Sequence, residues 1–188
     1  MTGLLGGAFD PPHLGHVALL RDARAHFGFD RVAVLVVADP GHKHVGTPPE
    51  TRLDLARAAF PGEDVELDPH ARTVETLRAR WFDDPVFLIG ADQFADFFSW
   101  TEPDEVLELA RLGVATRPGF SRGRLEGVLV QLAHPERVEF FDIEPFEIAS
   151  SAIRDRVARG EPIFELVPEP VAAEIERLGL YRGSGGHR

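Results

Sequence analysis

Apolar residues along this chain gather into two kinds of run. Short, dense ones at 4–5, 32–37, 65–67, 86–89, 113–116 and 138–143 read as strands. Between and after them lie segments whose apolar positions recur with helical spacing, at 15–27, 48–60, 73–81, 102–109, 125–132, 151–159 and 171–178. Strand and helix alternate, which calls for right-handed crossovers and a mostly parallel sheet covered on both faces. The pattern predicts a single doubly wound α/β domain over 1–182, with a sheet of about six strands. Thr47-Pro48-Pro49-Glu50 adds a start signal for the second helix: a capping threonine, proline at the first helical position and glutamate at the third. Only the tail 183–188, Gly-Ser-Gly-Gly-His-Arg, reads as disordered.

Length and composition narrow the chemistry. A chain of 188 residues can bury about 70% of the surface its unfolded form exposes. There is no cysteine, so disulfides, thiolate metal sites and a cysteine nucleophile are excluded. The N-terminus has no basic start and no long apolar core, and no stretch reaches the roughly 20 apolar residues of a membrane span, which places the chain in the cytoplasm. Twenty basic residues against 31 acidic ones give a formal charge of -11, a surface that repels nucleic acid and anionic lipid. Of the basic residues, Lys43 is the sole lysine. That singles it out.

Three strand ends carry candidate chemistry. The first strand runs into Gly6-Gly7-Ala8-Phe9-Asp10-Pro11-Pro12-His13-Leu14-Gly15-His16 and then a helix. Adjacent glycines let backbone approach a ligand, and a helix N-terminus presents N–H groups to an anion. A G-x-G-x-x-G dinucleotide fingerprint and a G-K-[ST] phosphate loop are both absent. His13 and His16, with His42 and His44, could instead ligate zinc, but the H-E-x-x-H pattern of such hydrolases is missing. Lys43, in Asp39-Pro40-Gly41-His42-Lys43-His44, follows the second strand, where ligands of open α/β sheets bind. The fourth strand ends in Ile89-Gly90-Ala91-Asp92, with Asp92 either a ribose ligand or a helix cap, and Phe97-Phe98-Ser99-Trp100 offers aromatic surface. Near the C-terminus, Ser150, Ser151 and Arg154 open a helix. A cation is unfavourable at that dipole end unless a polyanion binds beside it.

Taken in order, these segments resemble the nucleotidyltransferase superfamily marked by an H-x-G-H motif, and within it the bacterial nicotinate-nucleotide adenylyltransferases. The glycine-rich start through His16, Pro40 to Lys43, Ile89 to Asp92, Trp100, Thr116-Arg117-Pro118-Gly119-Phe120, Ile148 to Arg154 and Gly179-Leu180-Tyr181 carry the likeness. It implies a Rossmann-like fold and adenylyl transfer from ATP to nicotinate mononucleotide. By resemblance, Gly7, Ala8, Phe9, His13, Gly15 and His16 hold the ATP phosphates, Lys43 and Arg154 neutralise their charge, and Ser150 and Ser151 add hydroxyl donors. Gly90 and Asp92 meet the adenosine ribose, while Lys43, Thr73 and Trp100 serve the acceptor; His16, Lys43 and Arg154 are the expected catalytic groups. Magnesium is expected on the ATP phosphates, with no protein residue assigned as a metal ligand. Arg72, Glu75 and Ala149 depart from that family's usual tyrosine, aspartate and serine. Phosphopantetheine adenylyltransferases are similar at the H-x-G-H turn but usually shorter. A nucleotide-binding sensor without turnover is the reading from another class.

Overall fold

The computed structural model describes residues 1–41, 45–116, 122–144 and 148–182, so His42, Lys43, His44, Arg117 to Phe120 and the tail 183–188 lie outside the described residues. Among the described residues six strands are present: β1 (Thr2–Gly7), β2 (Arg31–Val37), β3 (Asp64–Asp68), β4 (Pro85–Gly90), β5 (Arg111–Thr116) and β6 (Val138–Asp142). They form one sheet in the order β3-β2-β1-β4-β5-β6, and every pair is parallel. The helices are α1 (Leu14–Phe27), α2 (Pro49–Ala59), α3 (Thr73–Ala79), α4 (Ala91–Ala95), α5 (Pro103–Leu109), α6 (Arg122–Leu129), α7 (Ser150–Ala158) and α8 (Glu169–Leu178).

Parallel pairing requires a crossover after each strand, and the crossovers divide the core in two. On one face Leu5, Val34, Val36 and Leu88 pack with Leu20 of α1, Leu55 of α2, Ile153 of α7 and Ile175 of α8. On the other, Leu4, Leu35, Phe87 and Ile89 pack with Val74 of α3, Phe94 of α4, Val106 of α5 and Leu125 of α6. β2 alternates between these clusters, which is why it reads as an unbroken apolar run rather than a half-polar one. The direction of winding reverses at β1. β1 pairs with β2 along its full length, to Gly7 opposite Val36, but with β4 only as far as Leu4 opposite Phe87. Beyond that point the two strands part.

Helix ends differ from the sequence expectation in instructive ways. Thr47 does not cap α2: Pro48 does, in an extended conformation, with Pro49 as the first helical residue. A residue before proline is pushed out of the helical region, so Pro49 forces Pro48 to stay extended and moves the start one position on. α3 stops at Ala79, and Trp81, expected within it, is 86% exposed. α4, a helix of five residues, was too short to show a period. α1 ends as its sequence suggests, with Gly28 at φ 67° and its N–H donating to the Arg24 carbonyl at 3.0 Å.

Leu55 is fully buried and seats α2 against the sheet. Leu55→Ala is expected to lower stability by about 2–5 kcal/mol. A urea midpoint equal to wild type would show that α2 is held by other contacts.

Candidate active site

The parting of β1 and β4 opens two cavities, one toward each face of the sheet. The first, of about 630 Å³, is lined by Leu35 and Val37 of β2, by Asp68, His70, Arg72, Thr73 and Thr76 around the start of α3, and by Phe87, Asp96 and Trp100. The second, of about 480 Å³, is lined by Phe9, Asp10, His13, His16, Leu88, Ser150, Ser151 and Arg154. Gly6, Gly7, Ala8 and Gln93 border both. A strip of glycine backbone is therefore the partition between them.

The turn after β1 is held hard. Phe9 sits at φ 49°, a left-handed conformation costly for a side chain with a Cβ. Its buried ring meets His16 edge-on at 5.1 Å and Phe60 at 5.7 Å. The Asp10–Pro11 peptide is cis. Asp10 is 3% exposed and accepts a hydrogen bond from the Tyr181 hydroxyl at 2.7 Å, so the far end of the chain closes onto the turn. Burial raises the Tyr181 phenol above its ordinary pKa. Arg154 Nη1 donates to the Asp10 carbonyl at 2.7 Å, and the Ser150 hydroxyl donates to the Pro11 carbonyl at 2.9 Å. These two bonds aim the first turns of α7 at the second cavity.

His13 and His16 stack with ring centroids 3.6 Å apart, and the backbone N–H of His13 donates to His16 Nδ1 at 3.2 Å. His13 Nδ1 is buried without a hydrogen-bond partner. The N-terminus of α1 is less open than the sequence suggested: Leu14 N–H donates to the Leu166 carbonyl at 2.9 Å and His16 N–H to the His13 carbonyl at 2.9 Å.

In the first cavity Asp68 orders the loop ahead of α3. It accepts from the His70 N–H at 3.0 Å and from the Thr76 hydroxyl at 2.5 Å, which fixes Thr73 between them. Trp100 packs edge-on to Phe87 at 6.3 Å and against Phe97 at 5.3 Å. Its indole stands as a wall, with room for a flat heterocycle beside it.

The structure thus gathers Gly7, Ala8, Phe9, His13, His16, Ser150, Ser151 and Arg154 at one cavity, and Thr73 and Trp100 at the other. Gly15 lies in the first turn of α1, and Gly90 and Asp92 at the start of α4; none of these three lines either cavity. Gln93 is the α4 residue that does, its Oε1 accepting from the Gly90 N–H at 3.2 Å. Lys43 lies outside the described residues. Sequence reasoning missed Gln93, Asp10 and above all Arg52. Arg52 is 1% exposed, at a core position of α2 in register with Leu55, Ala56 and Ala59. That register was the available signal, an arginine inside an apolar stripe. Its guanidinium donates to the carbonyls of Thr47, Ala8, Val37 and Ala38 at 2.7–3.0 Å. Burial lowers its pKa, opposed by the nearby Asp10 charge.

Residues 4–156 match the family model described as cytidylyltransferase-like. The chain is 35% identical over 195 residues to the probable nicotinate-nucleotide adenylyltransferase of Roseiflexus sp. (strain RS-1), covering 96% of this chain and 97% of that protein. It is 35% identical over 191 residues to the corresponding protein of Bordetella pertussis, covering 96% and 97%. Among solved structures, Plasmodium falciparum nicotinic acid mononucleotide adenylyltransferase complexed with NaAD superposes with a TM-score of 0.78 at 17% identity, over 96% of each chain. The same protein complexed with APC gives 0.73 at 16% identity. At such identities this likeness speaks for the fold.

Two outcomes test the turn. Burial lowers the His13 pKa from 6.5 to about 4, so the unfolded chain takes up a proton that the folded chain refuses. The stability this contributes is complete above pH 6.5 and is lost as the pH falls toward about 4, a change of about 3 kcal/mol. His13→Asn is expected to flatten the decline of stability across that window; urea titrations at both ends showing the wild-type slope would remove His13 as its source. Tyr181→Phe leaves a buried Asp10 oxygen unpaired and is expected to cost about 1–3 kcal/mol, read as a lower thermal midpoint. An unchanged midpoint would mean that the C-terminal closure contributes nothing.

Proposed function

Because the chain belongs to the cytidylyltransferase-like family, and within it to the nicotinate-nucleotide adenylyltransferases, we propose that it transfers the adenylyl group of ATP to nicotinate mononucleotide. The products are nicotinate adenine dinucleotide and pyrophosphate, a step of NAD biosynthesis. The observation that carries the reading is the pair of cavities divided by the Gly6–Ala8 backbone. Each has the size of a small-molecule site, one bears phosphate-binding donors and the other an aromatic wall, and they meet where two phosphates would have to react.

In this reaction an oxygen of the acceptor's 5′-phosphate attacks the α-phosphorus of ATP. A new P–O bond forms, the bond to the β-phosphate bridging oxygen breaks, and the electron pair leaves with pyrophosphate. The attacking phosphate is already largely dianionic near neutral pH, so no protein nucleophile is needed. Alignment and charge stabilisation remain as the protein's tasks. His16 and Arg154 border the phosphate cavity and serve the α-phosphoryl group and the departing pyrophosphate, together with Lys43. His13, neutral by burial, donates a hydrogen bond to the outer phosphates, aided by Ser150, Ser151 and the backbone of Gly7, Ala8 and Phe9. Thr73 and Trp100 receive the nicotinate ring; the roles the resemblance gives Gly15, Gly90 and Asp92 rest on the resemblance alone, since these three border neither cavity.

The donor set of the phosphate cavity, imidazole, hydroxyl and guanidinium, fits phosphate oxygens rather than a hard cation. Magnesium would accordingly be brought in by ATP rather than by a protein cage, and would supply charge neutralisation on the phosphate chain beside His16, Lys43 and Arg154. Among the described residues no helix is long and apolar enough to cross a membrane, and a cytoplasmic setting suits these substrates.

His16→Ala and Arg154→Ala are each expected to lower turnover on the order of 10²-fold at intact fold. The assay is pyrophosphate release from magnesium-ATP, with circular dichroism as the control for folding. Turnover near wild type in either variant would sink that role. Offering nicotinate mononucleotide, nicotinamide mononucleotide and phosphopantetheine separately decides the acceptor, and silence with all three would favour a sensor.

A further inference from the structure

We infer that Arg52 is a positioning residue of the phosphate cavity: from beneath the turn its guanidinium holds the Ala8 carbonyl, and with it Phe9, whose ring meets that of His16 edge-on. The inference rests on the adenylyl-transfer reading. Arg52 touches neither cavity, so it acts through the groups it grips.

The grip is specific. Guanidinium carries five N–H donors in a rigid planar fork. Nε donates to Thr47 at 3.0 Å, Nη1 to Ala8 at 2.7 Å and Val37 at 2.8 Å, and Nη2 to Ala38 at 2.8 Å. Those carbonyls belong to the turn after β1, the end of β2 and the residue before the cap of α2. One side chain therefore fixes the carboxyl ends of β1 and its neighbour β2, which lie on the same side of the crevice.

Three features tie this to the site rather than to packing alone. In a planar trans peptide the Phe9 N–H points opposite to the Ala8 carbonyl, so drawing that carbonyl toward Arg52 turns the Phe9 N–H away from it. Phe9 holds a left-handed φ of 49°, a strained state that persists only where its surroundings over-determine it; the Ala8 bond is one such restraint and the ring contacts with Phe60 and His16 are others. Ala8 borders both cavities, so a shift of its peptide disturbs both substrates at their meeting point.

The experiment compares wild type, Arg52→Lys and Arg52→Gln, alone and combined with His16→Ala. Steady-state kinetics use magnesium-ATP and nicotinate mononucleotide, with rates normalised to folded protein by gel filtration and circular dichroism. Lysine keeps the charge but not the fork, and glutamine keeps amide donors without charge. At least one soluble variant is expected to lose roughly 10- to 100-fold in kcat. In the His16→Ala background the same substitution is expected to change kcat less than about twofold, because the two act through one turn. Losses that multiply in full in both backgrounds overturn the inference. So does a lowered melting temperature with wild-type kcat and KM per folded molecule, the signature of a structural role. Failure of every position-52 variant to fold also counts against it, since positioning then cannot be separated from folding. Wild-type enzyme that releases no pyrophosphate overturns the functional reading first, and is distinguishable because it precedes any variant.

Discussion

Two parallel strands that begin side by side cannot stay so once the chain winds away from them in opposite directions. β1 and β4 are paired at Thr2, Gly3 and Leu4 and then diverge, and the rest of the functional architecture depends on that parting. It frees the last three residues of β1 on one edge while β2 holds the other edge to Gly7. Successive strand residues face opposite sides, so Gly6 and Gly7 present one position to each cavity. A Cβ at Gly6 would stand 2.9 Å from the Phe87 ring tip, and one at Gly7 3.1 Å from that of Phe9. Side chains there would push the Phe87 and Phe9 rings, which line the cavities, out of place. Glycine is required by closeness here, since neither residue has a positive φ.

A thin partition needs support from below, and the support is polar. Asp10, Arg52, Arg154 and Tyr181 come from both ends and the middle of the chain and converge on one turn. Burying a guanidinium and a carboxylate is costly in desolvation. An apolar residue in place of Arg52 would avoid that cost but leave its four carbonyls without these donors, which is costly in its own way. Because carbonyls at strand ends point into the space where helices start, a cation with several donors is the economical occupant. His13 shows the opposite response to burial: without such a set of acceptors around it, desolvation disfavours its charged form and it remains neutral.

How legible this was depends on the range of the interaction. Strands and long helices were readable because periodicity is local: the run 32–37 falls within Arg31–Val37, and 15–27 within Leu14–Phe27. The strings around His13, Thr73, Trp100 and Ser150 pointed to residues that do line the two cavities. The bond between Tyr181 and Asp10 spans 171 positions, and no local pattern encodes it. Arg52 hid for another reason. On a helix an arginine reads as solvated by default, and only its alignment with Leu55, Ala56 and Ala59 contradicts that default. Gln93 sits on a helix too short for periodicity to mark, and the local string singles out only its neighbours Gly90 and Asp92.

The net charge of -11 stands against a reading in which both substrates are anions, and the conflict resolves by distance. Exposed charges act over about 8 Å at physiological ionic strength, so an acidic surface deters extended polyanions that must contact many points at once. A mononucleotide meets one cavity at a time. The polar side chains that line the phosphate cavity include Arg154, two histidines, two serine hydroxyls and Gln93, and the one carboxylate there among the described residues, Asp10, is turned to Tyr181 and lies 3.9 Å from Arg154. The acidic exterior and the phosphate site are thus separate electrostatic regions, and local geometry governs which anion is held.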